Sequence, residues 1–155
     1  MRSLKKLRPL GRGVITLYAE SSAVLAWLLG EESGNSVREV LRHAELVTAS
    51  DLTIVECDRV LLRAVTSGEI DEAAATDRRA QLNAAAGHWH LWRVSSEIVE
   101  RARRPFPREP VRTLDAIHLA SALAVRLAVP GVELLSLDDR VRRAGKQLGF
   151  RLRPA

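Results

Sequence analysis

Short apolar runs of strand length alternate with helical patterns along this 155-residue chain. The first run, residues 14–18 (VITLY), is rich in β-branched residues and is too short and too apolar to be a surface helix. When a helix follows each strand, the next strand can enter the sheet in the same direction, which gives a mostly parallel sheet with helices on both faces. The alternation therefore predicts an α/β fold with a central sheet of four or five short strands.

The bounds of the predicted elements follow from the apolar spacing and from capping residues. Ser21 or Ser22 is expected to cap the first helix. Thr113 is expected to cap an almost wholly apolar helix, and Asp138 the last one. Three prolines between residues 105 and 110 predict a loop, the one plausible flexible insertion. The predicted strands are 14–18, 46–48, 89–94 and 132–137 with an edge strand at 151–152, and the predicted helices are 23–29, 36–43, 51–66, 70–86, 97–103, 113–127 and 138–149.

Composition favours one folded domain over residues 14–153. With 46% hydrophobic and 28% charged residues, the chain can form a core and is not of the disordered class. Its one cysteine, Cys57, cannot form an intramolecular disulfide, which predicts a reducing, cytoplasmic location and excludes cysteine-based zinc sites. The apolar run after Gly13 is broken by Glu20, so neither a signal peptide nor a membrane span is expected.

The net charge of +5 is concentrated at the N-terminus. Residues 1–13 contain five basic residues and no acid, whereas the rest of the chain has equal numbers of basic and acidic residues. This basic arm, predicted to be flexible, could bind phosphates or could be a solvated tail.

Four acidic residues stand where a carboxylate could meet a ligand. Glu20 directly follows the first predicted strand and Asp138 the fourth, and parallel sheets bind ligands beyond the carboxyl ends of their strands. Asp115 lies in the first turn of an otherwise apolar helix, and Glu56 interrupts the apolar run 52–57. A carboxylate in apolar surroundings is costly without a partner or a cation.

Each acid also has a purely structural interpretation. Asp138 is a good helix N-cap, and the positive end of a helix dipole could stabilise Glu20 or Asp115. Glu56 could pair with Arg59 on a helix surface. Together, however, four acids at one sheet edge repel one another unless a cation lies between them, and ligation by oxygen alone suits Mg²⁺ or Mn²⁺. Such a site activates water and neutralises charge on a phosphodiester.

These residues stand in an order that resembles a known family. The segments YAESSA (residues 18–23), DAIHLA (115–120) and SLD (136–138), with Glu56 in an early helix, look like the ordered motifs of PIN-domain ribonucleases. The closest resemblance is to the VapC-type toxins of bacterial toxin–antitoxin pairs. It extends from about residue 14 to residue 150, and DAIHLA and DDRVRRAGKQLGF are its most specific parts.

The resemblance implies a Mg²⁺- or Mn²⁺-dependent endoribonuclease that a cognate antitoxin protein inhibits and that is commonly a homodimer. The implied catalytic metal ligands are Glu20, Glu56, Asp115 and Asp138, and Ser136 fits the family's Ser or Thr two residues before the fourth acid. The family usually has Asp where this chain has Glu20. Since Mg²⁺ tolerates little displacement of its ligands, the longer side chain predicts low activity with Mg²⁺, more with Mn²⁺, and a gain in the Glu20→Asp variant.

Further polar residues are expected around the four acids. Ser21 and Ser136 are predicted to support the carboxylates, and Asp139 is a fallback ligand. His118 could donate to a carboxylate, or it could be a packed histidine of its helix. Arg140 and Arg143, in the run that also contains Arg142, are candidates for contact with an RNA phosphate. His88 and His90 flank Trp89 and would share one face of a strand, where a transition-metal pair is possible. The tryptophans, namely Trp27, Trp89 and Trp92, are expected in the core or at an interface, with base stacking as the other interpretation.

Two other functional classes remain open from the sequence. A catalytically weak or inactive PIN-like module that binds RNA or a protein partner is motivated by Glu20. A phosphoacceptor receiver-like domain also gathers acids and Mg²⁺ at the end of a parallel sheet. That chemistry needs a lysine near the phosphoryl group, whereas Lys5, Lys6 and Lys146 do not follow strands.

Overall fold

A computed structural model describes residues 13–155 of the protein. This range contains five strands and seven helices, with one or two helices between successive strands. Their bounds are β1 (Ile15–Ala19), α1 (Ser21–Leu28), α2 (Gly34–His43), β2 (Ala44–Ser50), α3 (Asp51–Thr66), α4 (Glu72–Ala86), β3 (His90–Trp92), α5 (Ser96–Ala102), α6 (Thr113–Ala128), β4 (Glu133–Leu135), α7 (Asp139–Gln147) and β5 (Leu152–Arg153).

The five strands form one sheet in the order β3-β2-β1-β4-β5, and every neighbouring pair is parallel. The predicted α/β fold with a parallel sheet is therefore confirmed. β2 is longer than the predicted 46–48, because its first residue already pairs with β1 and its last pairs with β3. β4 and β3 are shorter than predicted. β4 ends at Leu135, and the hydroxyl of the next residue, Ser136, donates to the carboxylate of Glu20.

Helices cover both faces of the sheet and divide the core in two. Leu17 and Ala19 of β1 face α1, α2 and α3, whereas Tyr18 between them faces α6 and α7. This alternation is the period of two that a β-strand imposes on its side chains. Leu134 and Leu135 of β4 divide in the same way. β1 and β4 are thus buried on both faces, and their carboxyl ends lie between the two layers of helices.

Two helix starts differ from the prediction. Glu20, not Ser21 or Ser22, caps α1, and its carboxylate accepts from the backbone N–H of Ser22. A serine hydroxyl next to a carboxylate donates its proton to it, and this leaves the carboxylate as the cap. α6 is capped by Arg112 without a side-chain hydrogen bond, so Thr113 is its first residue rather than its cap. Asp138 caps α7 as predicted.

The basic arm predicted for residues 1–13 lies outside the described residues except for Gly13. From residue 13 onward, no helix combines the length and apolar character that crossing a bilayer requires. Cys57 is a buried free thiol.

Candidate metal centre

The predicted acids gather where β1 and β4 end side by side. Glu20 follows β1, and its backbone N–H donates to Leu135 O at 2.9 Å, which extends the β1–β4 ladder by one bond. The chain proceeds from β1 to β2 on one side and enters β4 and β5 on the other. The carboxyl ends of β1 and β4 are therefore the topological switch point, where open α/β sheets bind ligands.

Glu20 is 4% exposed and its carboxylate is saturated with hydrogen bonds. Oε1 accepts from Ser21 Oγ at 2.8 Å and from the Ser22 N–H at 3.1 Å. Oε2 accepts from Ser136 Oγ at 2.7 Å and from the Ser22 hydroxyl. Since a carboxylate offers about four lone-pair sites, this side chain is fully used in joining β1, α1 and β4.

Glu56 reaches the same place from α3. Its Oε2 lies beside the Ser21 hydroxyl, whose single proton is shared between Glu20 and Glu56, and 3.0 Å from His118 Nε2. Burial alone would raise the pKa of Glu56, but the hydrogen bonds from His118 and Ser21, with the charge of His118, lower it below the ordinary value. Glu56 is thus held ionised and oriented, and the predicted pairing with Arg59 is wrong, since its partners are Ser21 and His118.

His118 on α6 links this carboxylate to the core and is 1% exposed. Its Nε2 lies 3.0 Å from Glu56 Oε2, 3.4 Å from Ser21 Oγ and 3.9 Å from Glu20 Oε1. An ionised carboxylate only accepts, so the short contact with Glu56 places a proton on Nε2. Its Nδ1 lies 3.0 Å from the hydroxyl of Tyr18, and that hydroxyl also lies 3.2 Å from Ser50 Oγ. Burial raises the pKa of Tyr18, so the phenol stays neutral. Both interpretations of His118 therefore hold: it is packed, and it orients a carboxylate.

Asp115 is the acid whose hydrogen bonding is incomplete. Among residues 13–155 its buried Oδ2 has no hydrogen-bond partner. Burial raises the pKa of Asp115, and the nearby charges of Asp138 and Glu20 raise it further, whereas Arg112 and His118 act in the opposite direction. An ionised oxygen that is buried and unpaired is costly, and a bound cation would remove that cost.

Asp138 stands across from Asp115 at the start of α7. Its Oδ1 accepts from the backbone N–H groups of Arg140 at 2.8 Å and Val141 at 3.1 Å. Its own N–H donates to Ser22 Oγ at 3.1 Å and Ser136 Oγ at 3.2 Å. The helix-cap interpretation of Asp138 is therefore confirmed, and the cap fixes where its carboxylate lies.

The four acids do not form one uniform cluster. Glu20, Glu56 and His118 offer atoms within 4.8 Å of one another, and Asp115 and Asp138 do not belong to that tight group. His118 Nε2 donates to Glu56, so it is engaged in a hydrogen bond rather than free to bind a metal. The charges of Glu20 and Asp138 nevertheless act on Asp115, so the carboxylates share one electrostatic site.

These residues fit a hard divalent cation. The donor set consists of carboxylate oxygens, which Mg²⁺ and Mn²⁺ prefer, and the unpartnered Oδ2 of Asp115 is a ligand atom with no competing bond. No cation is needed to explain Glu20, whose bonds are complete.

The remaining predicted residues have different surroundings. Asp139 is exposed in the first turn of α7. Arg140 and Arg143 line a cavity beside Asp115. Arg142 instead donates to the backbone carbonyls of Ser136, Arg153 and Pro154, so it holds the C-terminal strand and is not free for RNA.

The histidine pair predicted around Trp89 is wrong in its geometry. His88 lies in the turn before β3 and only His90 is in the strand, so the two do not alternate along one strand. Within the described part of the chain, neither belongs to a group of three metal-ligating side chains. Trp27, Trp89 and Trp92 are partly buried and pack against the two cores, as predicted.

Two contributors were missed by sequence reasoning. Ser22 donates to Glu20 and accepts from the backbone of Leu137 and Asp138, so it holds α1 against the end of β4. Tyr18 supports His118 from inside the sheet. A hydroxyl two residues after a strand-end acid was the available signal for Ser22, but the expected helix cap explained it equally well.

Comparison with known proteins agrees with this geometry. Residues 17–147 match the PIN domain family. Over 134 residues the sequence is 37% identical to Ribonuclease VapC46 of Mycobacterium tuberculosis, covering 86% of this chain and 93% of that protein. The structure of M. tuberculosis VapC20, described as a sarcin–ricin loop cleaving toxin, aligns with a TM-score of 0.59 at 15% identity over 84% of this chain and 95% of that one.

A second solved structure, VapBC2 of Rickettsia felis bound to a DNA fragment from its promoter, aligns with a TM-score of 0.57 at 10% identity. That alignment covers 88% of this chain and 97% of the other. At such identities the two structures support the fold alone, whereas the family match and the 37% identical relative cover most of the sequence. The chain therefore belongs to the PIN-domain family, and within it resembles the VapC ribonucleases.

Proposed function

We propose that this protein is a metal-dependent endoribonuclease that acts as the toxin of a toxin–antitoxin pair. The observation that carries the proposal is the buried, unpartnered Oδ2 of Asp115 in a group of carboxylates at the switch point of the sheet. The relative with 37% identity is named a ribonuclease, which supports the same reaction class. Because the chain belongs to the PIN family, the alternative of a receiver-like domain is excluded.

The roles of the residues follow from their hydrogen bonding. Asp115, Asp138 and Glu56 would hold Mg²⁺ or Mn²⁺, with Glu20 alongside. When bound, the cation would supply an activated water and positive charge next to the phosphodiester. His118 and Ser21 orient the Glu56 carboxylate, and Ser22 and Ser136 fix the backbone N–H of Asp138.

One observation favours a second candidate, a PIN-like module with weak or no catalysis. The hydrogen bonds to Glu20 compete with an inner-sphere metal bond to that carboxylate. In that case the protein would bind RNA or a protein partner through the same face without hydrolysing the backbone.

A metal titration separates the two candidates. The purified full chain is incubated with a structured RNA in EDTA, Mg²⁺ or Mn²⁺, and fragment ends are resolved on a gel. Cleavage that requires the metal and stops in EDTA supports the nuclease. RNA binding without cleavage in either metal supports the non-catalytic module, provided that circular dichroism shows a folded protein.

The cognate antitoxin is the partner of this proposal. A solved structure with the same fold is described as a toxin–antitoxin complex from Klebsiella pneumoniae. Trp27 lines a surface cavity of about 560 Å³ between α1, α2 and α4, and this face is a candidate for the contact. Growth arrest on expression of the chain alone would support toxicity, whereas abundant, harmless expression would contradict it. The proposed homodimer is tested by light scattering after size-exclusion chromatography.

A further inference from the structure

A small cavity adjoins the metal centre on the side of Asp115. It has a volume of about 240 Å³ and is lined by α7, by Asp115 and by the loop that precedes α6. Pockets that enclose a whole drug-sized molecule measure about 300–1,000 Å³, so this one is suited to a smaller group. Three of its lining residues are arginines, namely Arg108, Arg140 and Arg143.

Two of these arginines are placed by α7. The carboxylate of Asp138 accepts from the backbone N–H of Arg140 and so fixes the first turn of the helix. Arg140, Arg143 and Gln147 then follow at intervals of three and four residues, which puts them on one helix face. Asp138, which caps α7 at the metal centre, thus also fixes the helical turn from which Arg140 and Arg143 project.

The third arginine is placed by a loop that is tied to the core. Glu109 accepts from the backbone N–H groups of Phe106 at 2.9 Å and Val111 at 2.6 Å, which closes the loop on itself. The Phe106 side chain is buried, and the guanidinium of Arg101 stacks on its ring at 4.3 Å. The proline loop predicted as a flexible insertion is therefore anchored at both ends, with Arg108 between the anchors.

The arginine side chains of this cavity are not neutralised. Across the described range 13–155, Arg108, Arg140 and Arg143 have no carboxylate within ion-pair distance, in contrast to Arg42, Arg79 and Arg103, which are paired. All three are exposed. The Glu109 carboxylate is engaged by backbone N–H groups instead. Three guanidinium groups without an ion pair around a cavity of about 240 Å³ form a site for a phosphate oxyanion.

We infer that this cavity, formed by Arg108, Arg140 and Arg143 beside Asp115, binds one backbone phosphate of the RNA next to the phosphodiester that is cleaved. The inference rests on the proposed nuclease function. A phosphate held here fixes the register of the strand relative to the metal centre, since backbone contacts set position rather than sequence preference.

Binding without metal tests the inference separately from cleavage. The affinity of the full chain for a short single-stranded RNA is measured by fluorescence anisotropy in EDTA, for the wild type and for Arg108→Gln, Arg140→Gln and Arg143→Gln. Arg104→Gln is the matched control, because Arg104 precedes the same loop and is exposed but does not line the cavity. Each cavity variant should bind about three- to tenfold more weakly, and the salt dependence of log K should fall by about 0.7 per lost phosphate contact.

A neutral methylphosphonate linkage, moved one position at a time along the RNA, locates the phosphate. At one linkage the substitution should weaken binding by the wild type but not further weaken binding by Arg140→Gln or Arg143→Gln. Cavity variants that bind like Arg104→Gln, while the wild type still cleaves RNA with Mg²⁺ or Mn²⁺, would overturn the inference and leave the proposed function intact. A wild type that cleaves RNA with neither metal overturns the proposed function, and the inference with it.

Discussion

The candidate metal centre has two halves that differ in how completely their carboxylates are hydrogen-bonded. In the closed half, Glu20 and Glu56 accept from serine hydroxyls and from the imidazole of His118. In the open half, Asp115 keeps a buried oxygen without a partner within residues 13–155, and an arginine-lined cavity adjoins it. A carboxylate thus links elements of the fold in the closed half, whereas a carboxylate of the open half is available to bind a ligand.

The difference explains how a fold can tolerate several acids in one place. Buried charges are stable only when they are paired or hydrogen-bonded, and the closed half meets this condition with groups of the protein itself. In the open half, Asp115 Oδ2 has no hydrogen-bond partner, and a bound ligand would remove the free-energy cost of this unpaired oxygen. We therefore expect substitution of Glu20 to affect mainly folding and substitution of Asp115 to affect mainly cleavage.

The largest expected effect is on cleavage in the Asp115→Asn variant. Removal of a charged ligand atom should lower the cleavage rate by at least about a hundredfold, since even residues that only support metal ligands cost 10–100-fold. The metal-free variant should be as stable as the wild type or slightly more stable, because one of several repelling charges is lost. Urea unfolding in EDTA and a gel cleavage assay measure the two quantities.

Asp77→Asn is the matched control for that experiment, because Asp77 is exposed on α4 and does not belong to the carboxylates of the candidate metal centre. It should leave both rate and stability unchanged. Full activity of Asp115→Asn would contradict the role of the open half. A large loss of its stability would contradict the assignment of Asp115 to ligand binding rather than folding.

The closed half should show the reverse behaviour in the Glu20→Leu variant. Leucine removes the acceptor of three hydroxyls and of the α1 cap, and donors left unsatisfied in a buried site cost about 1–3 kcal/mol each. Because the hydroxyls can find other acceptors by rotation, the expected loss in free energy of unfolding is about 2–4 kcal/mol. Urea denaturation measures it. Glu45→Leu on β2, an exposed glutamate, should stay within about 0.5 kcal/mol of the wild type.

The two halves should also respond to pH in opposite directions. The pKa of Glu56 is lowered in the folded protein, so this group stabilises the fold above its ordinary pKa and the contribution disappears as the pH falls through the folded value. The pKa of Asp115 is raised, so its ionised form destabilises the fold above the folded pKa, and that penalty disappears in acid.

Free energies of unfolding of the metal-free protein between about pH 7 and pH 3 test this contrast. Glu56→Gln should be less stable than the wild type at neutral pH, and the difference should shrink as the pH falls. Asp115→Asn should be equal or more stable at neutral pH and should lose that advantage in acid. If the stabilities of the two variants relative to the wild type changed with pH in the same direction, the two halves would not differ in their response to pH.

Much of this arrangement could be predicted from the sequence, because it depends on order along the chain. The succession of strands and helices predicts a parallel sheet, and residues that follow strands, such as Glu20 directly after β1 and Asp138 three residues after β4, must lie at one edge. Whether each carboxylate is available to a cation or is occupied by protein hydrogen bonds could not be predicted. Whether Glu20 binds a cation or a set of serines depends on where the end of β4 brings Ser136, which is a contact 116 residues apart in sequence. The support of His118 by Tyr18 spans 100 residues and depends on helix packing in the same way.

The smallest expected effect is that of Glu20→Asp, which shortens a side chain of the closed half. The wild-type enzyme should cleave faster with Mn²⁺ than with Mg²⁺, because Mn²⁺ accepts less regular geometry and sites of this type bind it strongly. Aspartate withdraws the carboxylate by roughly 1.5 Å, about one carbon–carbon bond, so some of the four hydrogen bonds to Glu20 must lengthen or break.

Two consequences of that shortening can be measured together. The loss of part of the hydrogen bonding should reduce stability by about 1 kcal/mol. A carboxylate with unsatisfied lone pairs is free to bind a cation, so the rate with Mg²⁺ should rise severalfold and the Mn²⁺-to-Mg²⁺ ratio should fall. Cleavage rates over a metal titration, with urea unfolding of the same samples, give both values. A Glu20→Asp variant that loses stability and gains no activity with either metal would assign Glu20 wholly to the closed half, as a structural link that no cation contacts.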